Sequence, residues 1–308
     1  MNITPQEITV VVVSDFEAGE KTWVDEIAMA RALAQQDFGS NFKVIIVENE
    51  DNRLSTPPIA LKEALPLIEI LYFGESRSAA LKDYGVEKTT TPWVAVLEAD
   101  ALPDQDWLRS LVELANAHPE ADIISGRTYY GEETMWRRVL NLLDRSFDDR
   151  GYRIETMHIS NNGALYKTDL LKSFPYPAAA TPFSSARTRN FQIMNNGARI
   201  LFTRKARMRH AIGGFDFLWD FRRNTGYSDM IALEDPSAWR IPGLLFRRLK
   251  GQIGGAVRVG KYYLKPQDWP LWLFLLPITR IPEIKGMIEA LMHEKSGPDA
   301  ELKGSAYR

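Results

Sequence analysis

Trp93-Val94-Ala95-Val96-Leu97-Glu98-Ala99-Asp100 is the stretch that decides the fold. Five apolar residues run without polar alternation and then give way to two carboxylates. An unbroken apolar run of this length suits a strand buried on both faces of a parallel sheet. Glu98-Ala99-Asp100 then marks the carboxyl end of that strand. The two-residue repeat of an extended chain puts Glu98 and Asp100 on one side and turns Ala99 away. Downstream, Asp104 to His118 reads as a helix with Trp107, Leu108, Leu111, Val112 and Ala115 along one side. Asp122 to Ser125 opens a further strand.

Upstream, the same pattern repeats. Ile8 to Val13 and Phe42 to Val47 are apolar, β-branched runs. Between them Thr22 to Gln36 predicts a helix, with Trp23, Ile27, Ala30, Leu33 and Ala34 on its apolar stripe and Thr22 and Asp25 as a capping pair. Ser76 to Tyr84 reads as another helix, closed by Gly85. Strands alternating with helices predict an α/β fold with a mostly parallel central sheet, because parallel neighbours need helical crossovers. Ligands of such sheets sit at the carboxyl ends of the strands. The tips here are Ser14 to Glu20, Glu48 to Asp51 and Glu98 to Asp100, and all are acidic. Asp15 and Glu17 in the first tip are candidates to touch a bound ligand, or are solvated loop residues. Carboxylates that converge repel one another unless a cation or hydrogen-bond donors compensate them.

Composition narrows the chemistry. The chain has 308 residues, 45% of them hydrophobic, enough for a full core and for a division into one α/β domain and an extension. It has no cysteine, which excludes disulfides, thiolate metal sites and cysteine nucleophiles. The formal net charge of −2 and the acidic strand tips disfavour nucleic acid as a partner. Met1 to Thr9 lacks a basic leader, and Ile8 to Val13 is too short to span a bilayer, so a cytoplasmic location is expected. Neither G-x-G-x-x-G nor a Walker loop follows the first strand. Gly251 to Gly255 is glycine-rich but lies in a basic, helix-like stretch. A diphosphate bound without a glycine cradle needs other neutralisation, and Mg²⁺ or Mn²⁺ held by Glu98 and Asp100 would provide it. Alone, Glu-x-Asp is equally a cap for the helix that begins at Asp104.

The run VAVLEADALPDQDWL (Val94 to Leu108) resembles the D-x-D, P-x-x-D-W-L segment of family 2 glycosyltransferases with the GT-A fold. Four further stretches follow the family's order. IIVENEDN (Ile45 to Asn52) is similar to its second-strand end, which implies that Glu48 reads the nucleotide base. ESRSAALKDYG (Glu75 to Gly85) resembles its A-R-N-x-G helix, with Lys82 at the basic position and Asp83 at the Asn. ISNNGALYKTDLL (Ile159 to Leu171) looks like the segment beside the acceptor pocket, which places Asn161 and Asn162 there. NNGARILFTRKARMRH (Asn195 to His210) is similar to the stretch whose histidine can complete the metal site, here His210. The resemblance implies a GT-A-like nucleotide-diphospho-sugar transferase domain over residues 1–215. It implies a UDP- or GDP-type sugar donor, a saccharide or lipid-linked acceptor, and metal ligation by Glu98, Asp100 and His210.

One family feature is missing. Inverting members carry Glu-Asp about a dozen residues before the glycine that aligns with Gly197, and one carboxylate serves as base. That window reads Phe183-Ser184-Ser185-Ala186-Arg187, and no carboxylate occurs between Asp169 and Asp216. Asp148, Asp149, Glu155 and Asp216 are the substitutes to consider. Alternatively the acceptor is already ionised and meets Arg187 or Arg189, or the protein binds without catalysing transfer, as a degenerate relative. A nucleotidyltransferase, the other enzyme class with a related sheet, would need a basic glycine-rich loop after the first strand.

The rest of the chain reads as a helical extension over 216–295 and a polar tail over 296–308. Ala238 to Gln267 carries Arg240, Arg247, Arg248, Lys250, Arg258, Lys261 and Lys265 and no acidic residue. Trp269 to Ile278 is apolar and interrupted by Pro270 and Pro277. A basic segment beside an apolar one suits peripheral attachment at the inner face of a membrane. A core-packing or dimerising helical pair accounts for it equally.

Overall fold

The elements of the computed structural model run, in chain order, β1 (Ile8–Val13), α1 (Val24–Ala34), β2 (Lys43–Asn49), α2 (Ile59–Ala64), β3 (Ile68–Phe73), α3 (Ser78–Glu87), β4 (Trp93–Glu98), β5 (Ala101–Pro103), α4 (Trp107–Ala117) and β6 (Ile123–Tyr129). They continue with α5 (Met135–Asp144), β7 (Ala164–Lys167), α6 (Thr168–Ser173), α7 (Pro182–Asn195), β8 (Ile200–His210), α8 (Phe215–Ile231), α9 (Arg240–Tyr263), α10 (Trp269–Ile278) and α11 (Arg280–Ser296). The described residues are 2–13, 23–39, 41–54, 56–75, 77–146, 149, 151, 154–177, 182–210, 215–233 and 235–296. Asp15, Glu17 and Asp148, the helix cap expected at Thr22, and the tail from residue 297 lie outside them, as does the side chain of Asp216.

The chain divides into two compact units. The first comprises residues 1–129, 148–177 and 188–211. It holds all eight strands in one sheet of order β3-β2-β1-β4-β7-β6-β8-β5. β1, β2, β3 and β4 pair in parallel, as the alternation of strand and helix predicts. β7 runs antiparallel to β4 and β6, and β5 antiparallel to β8, so the sheet is mixed beyond β4.

The unbroken apolar runs are buried on both faces. Val10, Val12, Ile46, Ala95 and Leu97 pack on one side with Met29 and Leu33 of α1 and Trp107, Leu111 and Ala115 of α4. Val11, Val13, Ile45, Val47, Val94 and Val96 pack on the other with Leu81 and Val86 of α3 and Leu171 of α6. Gly85 does not close α3; the helix continues to Glu87. A Cβ at Gly85 would stand 2.4 Å from Val11 Cγ1 and 2.9 Å from Val47 Cγ2. Its role is close helix-to-sheet packing, which a search for helix-ending glycines misreads.

The second unit comprises 130–147, 178–187 and 212–308. The linear cut expected near residue 215 therefore leaves out two earlier segments, 130–147 with α5 and 178–187, that cluster with the C-terminal helices. Val139, Leu140, Leu142 and Leu143 of α5 pack with Ala256 and Val259 of α9 and Trp272, Leu275 and Leu276 of α10. Three residues of the ten-residue run Trp269 to Ile278 are thus core. α8 and α11 approach closely enough that a Cβ on Gly226 or Gly286 would overlap the facing backbone. Within this unit Arg222 is buried against Asp144 and Glu283, and Arg138 bonds Asp268 at 2.7 and 2.8 Å.

Candidate active site

Strand register brings residues distant in sequence to one edge. In the parallel trio Val47–Val13–Glu98 the partners lie side by side at the carboxyl ends of β2, β1 and β4. Ala99 N–H, in the turn that follows β4, donates to Val13 O at 2.9 Å and ties the turn to the end of β1. Ala99 is buried in the core on one face, which directs Glu98 and Asp100 to the other, as alternation predicts. The antiparallel pairing of β5 with β8 then sets His210 opposite Ala101, next to Asp100. His210 Nε2 lies 3.4 Å from Asp100 Oδ2. Glu98, Asp100 and His210 each offer a ligand atom within 4.8 Å of the others. Two carboxylates and an imidazole are a donor set that suits Mg²⁺ or Mn²⁺.

Glu98 is held by two partners. Lys82, one turn into α3, forms an ion pair with its Oε1. Asn162 Nδ2 donates to its Oε2 at 3.0 Å, while Glu98 N–H donates to Asn162 Oδ1 at 3.1 Å. Asn162 is positioned in turn by its neighbours. Ser160 Oγ donates to its carbonyl, and Gly163, with φ +87°, donates its N–H to Val96 O at 2.9 Å. Trp107 Nε1 donates to Gly163 O at 3.1 Å. Asn162, which the resemblance places beside the acceptor, thus also touches Glu98.

Asn161 turns to Arg189, whose Nη2 donates to its Oδ1 at 3.2 Å. Arg189 is buried, with its guanidinium 3.6 Å above the Tyr176 ring. Tyr176 N–H donates to Asp83 at 2.8 Å, and burial pushes the Asp83 carboxyl above its ordinary value, against that hydrogen bond and the charges of Arg189 and Lys82. Arg187, expected beside Arg189, belongs to the second unit and pairs with Asp229 at 2.6 Å.

Glu48 is buried at the end of β2 and accepts from Asn52 Nδ2 at 3.2 Å. It follows Val47, so it points to the face opposite Glu98. Its register partner is Tyr72 of β3, whose ring carries the Arg53 guanidinium at 4.1 Å and meets Trp23 edge-on at 6.4 Å. Burial raises the Tyr72 phenol above its usual value. Trp23 is, among the described residues, the one non-glycine with φ in the left-handed region, at 54°. Strained backbone of this kind clusters at functional sites. Nothing in the sequence around Arg53 and Tyr72 signals this cluster, since tertiary packing alone assembles it.

The base candidates divide. Asp149 is buried and receives Arg204 Nε and Nη2 at 2.6 and 2.7 Å and Gly151 N–H at 2.8 Å, so its carboxylate is committed to Arg204 of β8 and to Gly151. Glu155 bridges to Leu201 at the start of β8, opposite Ile124, whereas Arg209, beside His210, lies opposite Tyr129. Five residues of β6 separate those levels, about 17 Å at the rise of a strand. That spacing sets Glu155 apart from an ion held at His210.

A sheet with this order, carrying a Glu-x-Asp at the end of its fourth strand and a histidine brought beside it by an antiparallel edge pair, defines a GT-A glycosyltransferase domain. Residues 26–174 match the model of Glycosyl transferase family 2, which places that segment in the family. Among solved structures it is similar to the mannosyltransferase PcManGT from Pyrobaculum calidifontis in complex with GDP-Man and Mn²⁺, at 14% identity and a TM-score of 0.60, covering 94% of this chain and 88% of that one. It is also similar to S. aureus TarS 1–349 in complex with UDP, at 14% identity and a TM-score of 0.48, covering 95% and 93%. At 14% identity the likeness to PcManGT shows the fold alone. No curated protein matches the chain.

Proposed function

We propose that this protein transfers a sugar from a UDP- or GDP-type donor to a saccharide or lipid-linked acceptor, with Mg²⁺ or Mn²⁺. The observation that carries the reading is the convergence of Glu98, Asp100 and His210 at one strand edge. Asp100 and His210 would hold the ion together with Glu98, and the ion, when bound, supplies positive charge to the departing diphosphate. Lys82 and Asn162 fix the Glu98 carboxylate, so that it meets the donor without reorganising. Glu48 is assigned to the nucleotide base with Trp23, Arg53 and Tyr72 around it, and Asp15 and Glu17 to the same donor. The PcManGT complex with GDP-Man and Mn²⁺ supports this donor and metal class.

On the acceptor side, Asn161 and Arg189 act together, Arg189 from a buried position behind the segment. With Asp149 held by Arg204 and Gly151 and Glu155 set apart from His210, the base falls to Asp148 or Asp216, or is unnecessary because the acceptor is ionised and meets Arg187 or Arg189. The missing Glu-Asp pair favours one rival, a degenerate transferase that binds nucleotide without turnover. Peripheral attachment to an anionic membrane completes the reading. It is supported by the acid-free basic stretch from Ala238 to Gln267.

Calorimetric titration of UDP and GDP with and without Mn²⁺, on wild type and Asp100→Ala, tests the donor site. Metal-dependent binding lost in Asp100→Ala upholds it; no binding at millimolar nucleotide with metal overturns it. Hydrolysis or transfer of a bound nucleotide sugar by wild type then separates the enzyme from the binding protein.

A further inference from the structure

α9 has two apolar faces. Leu244, Ala256, Val259 and Tyr263 face inward and are buried within the second unit. On the opposite side stand Trp239 at its N-cap (92% exposed), Phe246 (68%), Ile253 (44%) and Val257 (82%). At 100° per residue, Trp239, Ile253 and Val257 all fall within about 20° of Phe246, so the four form one line along the helix. Exposed single apolar residues are ordinary, but four in line on a solvent-facing helix are not.

The charges beside this line are all of one sign. Lys250, Lys261, Arg247, Arg240 and Arg258 are exposed and project, on the same helical phase, to one flank of it, about 40° to 120° away. Arg248 points the other way, to Asp229 at 2.6 Å. No acidic residue lies between Ala238 and Gln267 to neutralise the flank. A second copy docked through this face brings no acidic residue from its own α9, so by a two-fold axis across the helix cation meets cation, and by one along it both flanks stay without a counter-charge from α9. A nucleic acid would satisfy the charge and leave Trp239, Phe246 and Val257 without an apolar partner. An anionic bilayer satisfies both, with headgroups for the cations and the acyl boundary for the line of apolar side chains.

We infer that α9 is an interfacial membrane helix, lying on an anionic lipid surface with Trp239, Phe246, Ile253 and Val257 inserted and its Lys/Arg flank on the headgroups. The inference rests on the membrane part of the reading above and is independent of the donor site. It also centres the contact on the outer face of α9; in the Trp269 to Ile278 run Trp272, Leu275 and Leu276 are core, while Leu273 and Phe274 are exposed.

Co-sedimentation of the full chain with vesicles tests it, comparing phosphatidylcholine alone with phosphatidylcholine containing a quarter phosphatidylglycerol. Wild type is expected on the anionic vesicles and not on the neutral ones. Arg247→Glu with Lys250→Glu should weaken binding by about fivefold or more per removed cation, since each contributes about that factor near an anionic surface. Phe246→Ser with Val257→Ser should abolish insertion while leaving the charges in place. All four positions are exposed, so folding is retained, and unchanged circular dichroism and nucleotide titration confirm that. Absence of wild-type binding to anionic vesicles overturns the inference, as does equal binding by the Phe246/Val257 variant. A wild-type dimer that dissociates in that variant overturns it in favour of a second copy. Vesicle binding without nucleotide binding leaves α9 assigned and sinks the donor site; the reverse result does the opposite.

Discussion

Lys82 of α3 and Glu98 at the end of β4 form an ion pair with side chains only 7% and 17% exposed. The pair joins the helix that covers one face of the sheet to the strand end that carries the candidate metal ligands. Breaking such a pair from one side leaves a largely buried charge without its counter-ion, a loss of about 3–5 kcal/mol. Lys82→Met is therefore expected to lower the melting temperature markedly. It also leaves Glu98, Asp100 and His210 with more uncompensated negative charge. Mn²⁺ should then raise the melting temperature of Lys82→Met by more than that of wild type. Equal shifts, or none, would show that Lys82 and the ion do not share Glu98.

Gly163 makes a second link testable. Its φ of +87° is costly for any side chain, and a Cβ there would lie 2.6 Å from Met208 Cγ. Gly197 has a similar φ, +82°, with nothing within 4 Å of an added Cβ. Left-handed backbone alone costs about 1–2 kcal/mol, and overpacking adds about 1–3 kcal/mol. Gly163→Ala should thus destabilise by more than Gly197→Ala in denaturant titration. Because Gly163 sets Asn162 against Glu98, it should also weaken nucleotide binding, which Gly197→Ala should leave intact. Equal stabilities for the two variants would refute the packing argument.

These two examples show what the sequence discloses and what it hides. The buried strands β1, β2 and β4 were legible because unbroken apolar runs have few other folded uses. Glu98 and Asp100 were legible because alternation fixes their common side once β4 is recognised. His210 was reached only through family resemblance, since its approach to Asp100 depends on the antiparallel pairing of β5 with β8, which no local pattern encodes. Asn162 lay in a noticed segment, yet its bond to Glu98 depends on the left-handed Gly163 beside it. The joining of 130–147 to the C-terminal helices was hidden for the same reason: it is a matter of long-range packing.

Glycines in the second unit should behave in opposite ways. A Cβ on Gly286 would lie 1.9 Å from Arg223 O, and the α8–α11 contact would have to open. Gly254, on α9, has nothing within 4 Å. Alanine at Gly254 should stabilise by up to about 1 kcal/mol, the helix-propensity difference. Alanine at Gly286 should destabilise by about 1–3 kcal/mol or more, since backbone rather than a flexible side chain must move. Thermal denaturation of the two variants decides it, and a stabilised Gly286→Ala would show that the helices are less closely apposed.

Asp268 gives the second unit a defined response to acid. Its carboxylate accepts from Arg138 Nε and Nη2 and from Lys265 N–H at 2.8 Å, and its side chain is fully buried. The Arg138 hydrogen bonds, chiefly, hold its pKa below the ordinary aspartate value, against desolvation. An acid whose folded pKa is depressed binds fewer protons folded than unfolded in the window between the two values. Its stabilisation is complete above about pH 4, the unfolded value, and is lost as pH falls through the lower folded one. Asp268→Asn keeps the shape and removes that titration. It should be less stable than wild type at pH 7, by about 3–5 kcal/mol because the buried Arg138 loses its counter-charge. The gap between the two proteins should narrow as the pH drops below 4. A gap that stays constant down to pH 2 would mean that Arg138 does not depend on the charge of Asp268.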